Sequence, residues 1–155
     1  MRQFLIITII ILTKFANVQA QTSKVEYKTI TTVESIIPAG GGRSRMIESI
    51  DEVDVDNFTT ERTDGKKSMQ GNISRSDAKI DRFAETKMLN FYSLTGLNFQ
   101  NIASNDAMIS SKLSDMAEAG WELMFVTSGV ESDAGEKDMY GVFITRFIFK
   151  RVIQL

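Results

Sequence analysis

The last run of the chain, Gly141 to Ile153 (GVFITRFIFKRVI), constrains the fold most. As an extended strand it places Phe143, Thr145, Phe147 and Phe149 on one face and Val142, Ile144, Arg146, Ile148 and Lys150 on the other. Apolar side chains on both faces mark an interior strand, so the chain must supply neighbouring strands and a cover for the aromatic side.

The remaining pattern provides both. Val25 to Ile37 (VEYKTITTVESII) is rich in β-branched residues, and period-two alternation puts Val25, Tyr27, Thr29, Thr31, Val33 and Ile37 on one face. Pro38 and Gly40-Gly41-Gly42 then allow a reversal into a second strand over 43–53, making a hairpin. Met88 to Leu94 (MLNFYSL) reads as a third strand. Trp121 to Val126 (WELMFV) alternates Trp121, Leu123 and Phe125 onto one face and forms a hairpin with the last strand, closed by a polar tip over 128–139. The cover is a helix with Ser104 or Asn105 as its N-cap and Asp106 in its first turn. It carries the apolar stripe Ile109, Leu113, Met116 and Ala117 and stops at Gly120, where a helix end commonly needs the left-handed conformation. The fold class is therefore α+β, an antiparallel sheet of four or five strands with one amphipathic helix on one face.

Between these blocks, residues 51–85 turn charged and small-polar and read as an insertion into a single domain spanning 21–155. High mobility is expected between Thr60 and Lys79, with Asp64-Gly65 able to close a polar two-stranded ribbon.

The first twenty residues read as a secretory signal peptide. Arg2 gives a positive start, Leu5 to Leu12 (LIITIIIL) an apolar stretch too short to span a bilayer, and Val18-Gln19-Ala20 a small-residue cleavage pattern. The expected location is secreted or periplasmic, with no membrane span after cleavage. The full chain has 18 basic and 20 acidic residues, and losing Arg2 and Lys14 leaves the remainder more acidic still. That balance argues against nucleic acid as a partner. A secreted chain without cysteine suits a bacterial periplasm better than an animal extracellular space, where small domains lean on disulfides.

The composition also prunes the chemistry. With 0 His and 0 Cys the chain has no imidazole base, no thiol nucleophile and none of the usual zinc, copper or haem ligands, so no cofactor is implied and no catalytic residue is assigned. Asp51, Glu52, Asp54 and Asp56 crowd carboxylates together, but a calcium loop starting at Glu52 would put Asn57 at the required glycine and Thr63 at the required glutamate. Alternation about Val55 instead places Asp54 and Asp56 on the solvent face of a strand, and no metal site is assigned.

The candidate ligand site is the turn Gly41, Gly42, Arg43, Ser44 and Arg45, where exposed backbone N–H groups beside two guanidinium groups would suit a small anion. It lacks the ending of a phosphate-binding loop, and a flexible turn before a charged edge strand is the commoner source of such a pattern.

One resemblance is specific enough to name. A helix carrying Lys112-Leu113 and Met116 and closing in Gly120-Trp121-Glu122-Leu123, then a hairpin ending in Phe149-Lys150-Arg151, with Glu26-Tyr27-Lys28 in the first strand, resembles a family of small bacterial domains of unknown function. The resemblance implies the fold, with Gly120 to Leu123 as a structural motif, and no activity.

Three functions remain in view: a non-catalytic binding or interaction module that engages a small anion or a cell-envelope protein, a carboxylate-dependent hydrolase of envelope glycans or peptides, and an assembly protein that pairs through a sheet edge. All three assume export. The processed chain is expected to begin at Gln21, and an intact-mass measurement would show any other cleavage point.

Overall fold

The computed structural model describes residues 23–36, 43–131 and 141–154. It contains strands β1 (Ser23–Ser35), β2 (Arg45–Ser49) and β3 (Phe83–Lys87), a short ribbon of β4 (Tyr92–Ser93) and β5 (Gly96–Leu97), helix α1 (Phe99–Glu118), and strands β6 (Glu122–Glu131) and β7 (Val142–Gln154). The main sheet is antiparallel with order β3-β2-β1-β7-β6, so β7 is an interior strand, as its two-sided apolar pattern requires. The residues group into two compact units, 27–150 and the strand ends 23–26 with 151–154. In the smaller unit, Arg151 Nη2 donates to Glu26 Oε2 at 3.1 Å.

One face of the sheet in the larger unit carries the core. Ile30, Met46, Phe147 and Phe149 are buried there with Met88, Met116 and Trp121, and Met108, Ile109 and Leu113 of α1 pack against them. The void left between helix and sheet is about 10 Å³, at the lower limit for a single water, so this interior is a packed core and not a ligand chamber. The face of β1 that turns inward is the one with Ile30, Thr32 and Glu34, opposite to the face that Val25, Tyr27 and Thr29 define. Alternation gives the period but does not say which side is buried. The β-branched face faces away from the helix, while the inward polar groups gain specific partners.

The helix starts earlier than the Ser104 or Asn105 expectation. Asn98 is the N-cap, its Oδ1 accepting the Asn101 N–H at 3.1 Å, and α1 runs for 20 residues. Asn105 is instead fully buried in mid-helix. Its amide donates to Leu89 O at 2.8 Å and to Glu34 Oε1 at 2.7 Å, and accepts the Leu89 N–H at 2.8 Å. It therefore meets Leu89 as a neighbouring strand would. That is why Met88 to Leu94 does not become the third strand: Leu89 is served by the helix, Met88 N–H donates to Ser44 O, and Phe91 N–H donates to Ser35 O. The third strand forms instead at β3, which begins in the last three residues of the segment read as insertion and runs two beyond it, pairing Arg45 with Lys87 through Ser49 with Phe83.

At its other end α1 closes in a paired-bond cap. Gly120, at φ 80°, donates to Ala117 O at 3.0 Å, and Trp121 N–H donates to Met116 O at 2.9 Å. Trp121 is 9 % exposed and shares the core with Met116, so the chain leaves the helix already packed. Removing a buried side chain of this size typically costs about 3–5 kcal/mol. A polar staple crosses the same layer. Glu48 of β2 accepts from Lys28 of β1 at 2.7 Å and from Lys112 of α1 at 2.5 Å, and the Lys28 ammonium lies 5.5 Å from the Trp121 ring centre. Burial alone would raise the Glu48 carboxyl, but the two ammonium groups outweigh it and hold the group below its ordinary range.

The segment 51–82 holds two 3₁₀ turns, Val55–Phe58 and Gln70–Asn72. Asp54 caps the first of these turns, so Asp54 and Asp56 do not lie on a strand. Asp64 accepts the N–H groups of Lys66 and Lys67 in a local turn, with Gly65 at φ 68°, and no ribbon forms around it. β2 ends at Ser49 because the Asp51 carboxylate hooks the returning chain, accepting from the N–H groups of Asp81 and Arg82 and from Arg82 Nε.

Thr32 offers a direct test of the inward face. It is fully buried, and its hydroxyl has no hydrogen-bond partner. Thr32→Val should therefore stabilise the protein by about 1 kcal/mol in denaturant unfolding, and a loss of stability would show that the hydroxyl has a partner in solution.

Candidate functional site

The two edges of the main sheet are built differently. β3 has 5 residues, and Glu85 and Lys87 put charge on it, with Glu85 Oε1 3.0 Å from Arg45 Nε. A short, charged strand is how natural sheets blunt an edge against further pairing. β6 is the opposite case. It has 10 residues, all of them exposed, with no lysine, arginine or proline among them. Leu123, Met124, Phe125, Val126 and Val130 are each 41–62 % exposed.

Pairing with β7 fixes which way these side chains face. Leu123 lies opposite Phe149 and Val126 opposite Phe147, so both project on the helix side, as Val130 does opposite Phe143. Phe125 lies opposite Ile148 and projects on the other side. The register slips between Leu123 and Phe125, and that bulge sends these two residues to opposite faces, where simple alternation had put them together. The strand also continues to Glu131, into the segment expected to be loop; the rest of that tip lies outside the described residues. Side chains on both faces of β6 therefore project past the cover, beside one row of edge backbone groups.

The sequence-derived anion site is less concentrated. Gly41 and Gly42 lie outside the described residues. Ser44 is fully buried, its hydroxyl accepting the Ser35 N–H at 2.9 Å and donating to Asn90 Oδ1 at 2.7 Å. Arg45 faces Glu85, as above, while Arg43 is exposed. The hydroxyl is thus committed to joining β1, β2 and the 88–91 segment. In the Gly120 to Leu123 motif, Gly120 and Trp121 build the helix cap, Glu122 pairs with Lys150 at 3.3 Å, and Leu123 begins the exposed edge.

Two further features bear on chemistry. An open cleft of about 380 Å³ in the insertion is lined by Asp51, Asp54, Asp77 and Asp81 together with Lys79 and Arg82. Backbone hydrogen bonds from Arg82 and Asp81, with the Arg82 guanidinium, hold the Asp51 carboxyl below its ordinary range, so this acid fastens the loop. No group of three or more acids among the described residues is placed to hold a metal ion. Glu34, at 6 % exposure, is the one described carboxyl raised above its ordinary range. Desolvation drives the shift and the Asp106 charge adds to it, against the Asn105 hydrogen bond. Neither described cavity is lined by Glu34. No helix among the described residues is long and apolar enough to cross a membrane. Comparison of the chain with protein-family models, with curated proteins and with solved structures finds no match.

The Glu34 environment predicts a pH signature. Its carboxyl binds a proton more tightly folded than unfolded, so its contribution falls as pH rises from the unfolded value through the folded one. Glu34→Gln should therefore raise the melting temperature at pH 8, with the gain shrinking toward pH 4, since the amide oxygen can still accept from Asn105. A variant less stable at pH 8 would show that the ionised carboxylate is compensated in the folded protein.

Proposed function

We propose that the protein is a non-catalytic interaction module working outside the cytoplasm, which engages its partner by adding an extended strand to the free edge of β6. The observation that carries this reading is the contrast between the two edges: β3 is short and charged, whereas β6 presents 10 consecutive exposed residues, half of them large and apolar. In strand addition the main-chain bonds give affinity and alternate side chains give selectivity. β6 supplies side chains for both faces of an incoming strand. Leu123, Val126 and Val130 contact it on the helix side and Phe125 on the other. The acids at its ends, Glu122 and Glu131, favour a strand with basic ends.

The first twenty residues support the location. Membership of the small bacterial family that Gly120-Trp121-Glu122-Leu123 resembles belongs to the same proposal. The hydrolase alternative has less support, because the one described carboxyl with a raised proton affinity, Glu34, is packed against Asn105 and lines neither described cavity.

The test uses a labelled ten-residue peptide alternating Val and Thr, with Lys at each end, titrated against nanomolar protein. Fluorescence anisotropy should show saturable binding that Val126→Lys weakens at least tenfold, and amide hydrogen exchange should slow at alternate residues of β6. Absence of binding, or binding indifferent to Val126→Lys, would overturn the β6 assignment.

A further inference from the structure

We infer that the strand received by β6 is β6 of a second copy, giving a two-fold dimer with one continuous sheet; this rests on the β6-edge reading above. The first reason is closure. A sheet with one open and one blunted edge can grow once only, because pairing β6 with β6 consumes both open edges and leaves a charged β3 at each end. An isologous contact of this kind ends at two subunits, whereas a chain open at both edges would polymerise.

The second reason is the self-complementarity of the strand. Antiparallel pairing about a two-fold axis normal to the sheet keeps each side chain on its own face, so only residues of the same face come opposite each other. Beyond the bulge, the regular part of β6 runs from Phe125 to Glu131, with Ser128 at its centre. An axis at Ser128 sets Val126 against Val130 of the second copy on the helix side, twice by symmetry. On the other side it sets Phe125 against Glu131 and Thr127 against Gly129. No like charges meet, and the paired valines lie between the two helices, which fall on the same face. The bulge at Met124 marks where regular pairing stops, leaving Glu122 outside the paired segment and bonded to Lys150 of its own chain. Val126 and Val130, exposed in the single chain at 44 % and 62 %, would gain apolar neighbours in this arrangement.

The chain contains no cysteine, so a single introduced thiol reports the register directly. Residues directly opposite in an antiparallel pair have Cβ atoms about 4.5–5.5 Å apart, within reach of a disulfide after small adjustment. Protein expressed from the full reading frame and purified as it accumulates should sediment at twice the chain mass at about 1 to 100 μM, and dissociate on dilution. Ser128→Cys should cross-link to a covalent dimer under mild oxidation, while Ala84→Cys on β3 should not. Val126→Lys should sediment as a single chain and still melt in one cooperative transition, at a temperature that no longer rises with protein concentration. A single-chain mass across that range, a dimer that survives Val126→Lys, or cross-linking at Ala84→Cys equal to that at Ser128→Cys would each overturn the inference. The peptide titration separates the two readings: single-chain protein that still binds the peptide through β6 removes the second copy as partner and keeps the edge.

Discussion

The Asn105 amide is the interaction on which the rest of the arrangement depends. It sits in mid-helix with no exposure, yet all three hydrogen bonds described for it leave the helix, two to the backbone of Leu89 and one to the Glu34 carboxyl of β1. A buried amide in an apolar layer is costly unless satisfied, and each partner left orphaned would cost about 1–3 kcal/mol. Helix, first strand and the segment after β3 are therefore correlated: displacing any one strands polar groups on the other two. Asn101 extends the pattern one turn earlier, donating to Asn90 O at 2.8 Å. Apolar packing could tolerate some sliding of α1 over the sheet, but this geometry does not. The partial desolvation of Glu34 is a consequence of fixing the helix in this way.

Fixing a single helix in that position also decides what stays uncovered. An α-helix is about 10–12 Å across with its side chains, and strands lie about 4.8 Å apart, so one helix shields two or three strands and not five. The core residues show which: Met46 on β2, Ile30 on β1, and Phe147 and Phe149 on β7. The two outer strands fall outside its width, and their sequences differ in how they meet that exposure. β3 carries charge, with Glu85 beside Arg45, whereas β6 keeps an apolar sequence although the helix reaches little beyond its first residues.

The architecture was legible because it follows from periodicities that burial imposes. The two-sided pattern of β7, the β-branched run of β1, and the Gly120-Trp121 helix stop each have one natural reading, and each is found as a strand, a strand and a cap. The departures occur where a side chain replaced a backbone partner. Met88 to Leu94 has the apolar content of a strand, but Asn105 occupies the bonding groups of Leu89. Asn105 looks like a helix cap in sequence because Asn commonly is one, and nothing local distinguishes a cap from an amide serving a segment sixteen residues away. The true cap, Asn98, precedes Phe99, which is 75 % exposed and so lies off the apolar stripe by which the helix is read. The bulge in β6 was invisible for a similar reason: it comes from the match to β7, not from any residue of β6. The candidate turn at Gly41 to Arg45 was read from residue types that favour anions, but type alone does not show where a hydroxyl points, and Ser44 points inward.

The exposed apolar residues of β6 cannot be explained by the stability of the isolated chain. Phe125 and Val130 stand mostly in solvent, and a polar residue at either position would keep the strand's backbone bonds to β7 while lowering the tendency to aggregate. The pairing with β7 does not require them either, since the register opposite Ile148 and Phe143 is held by main-chain bonds. Secondary-structure preference accounts for β-branched residues such as Val126 and Thr127, but not for the lack of any lysine or arginine along the edge, where β3 carries Lys87. Two single-residue devices protect edges at little cost in sheet geometry, an inward-pointing charge or a proline, and neither is used in β6. What the strand does carry is a bulge near one end and an acid at each end, features that limit how far and in what register another strand can lie, while leaving the middle free to receive it.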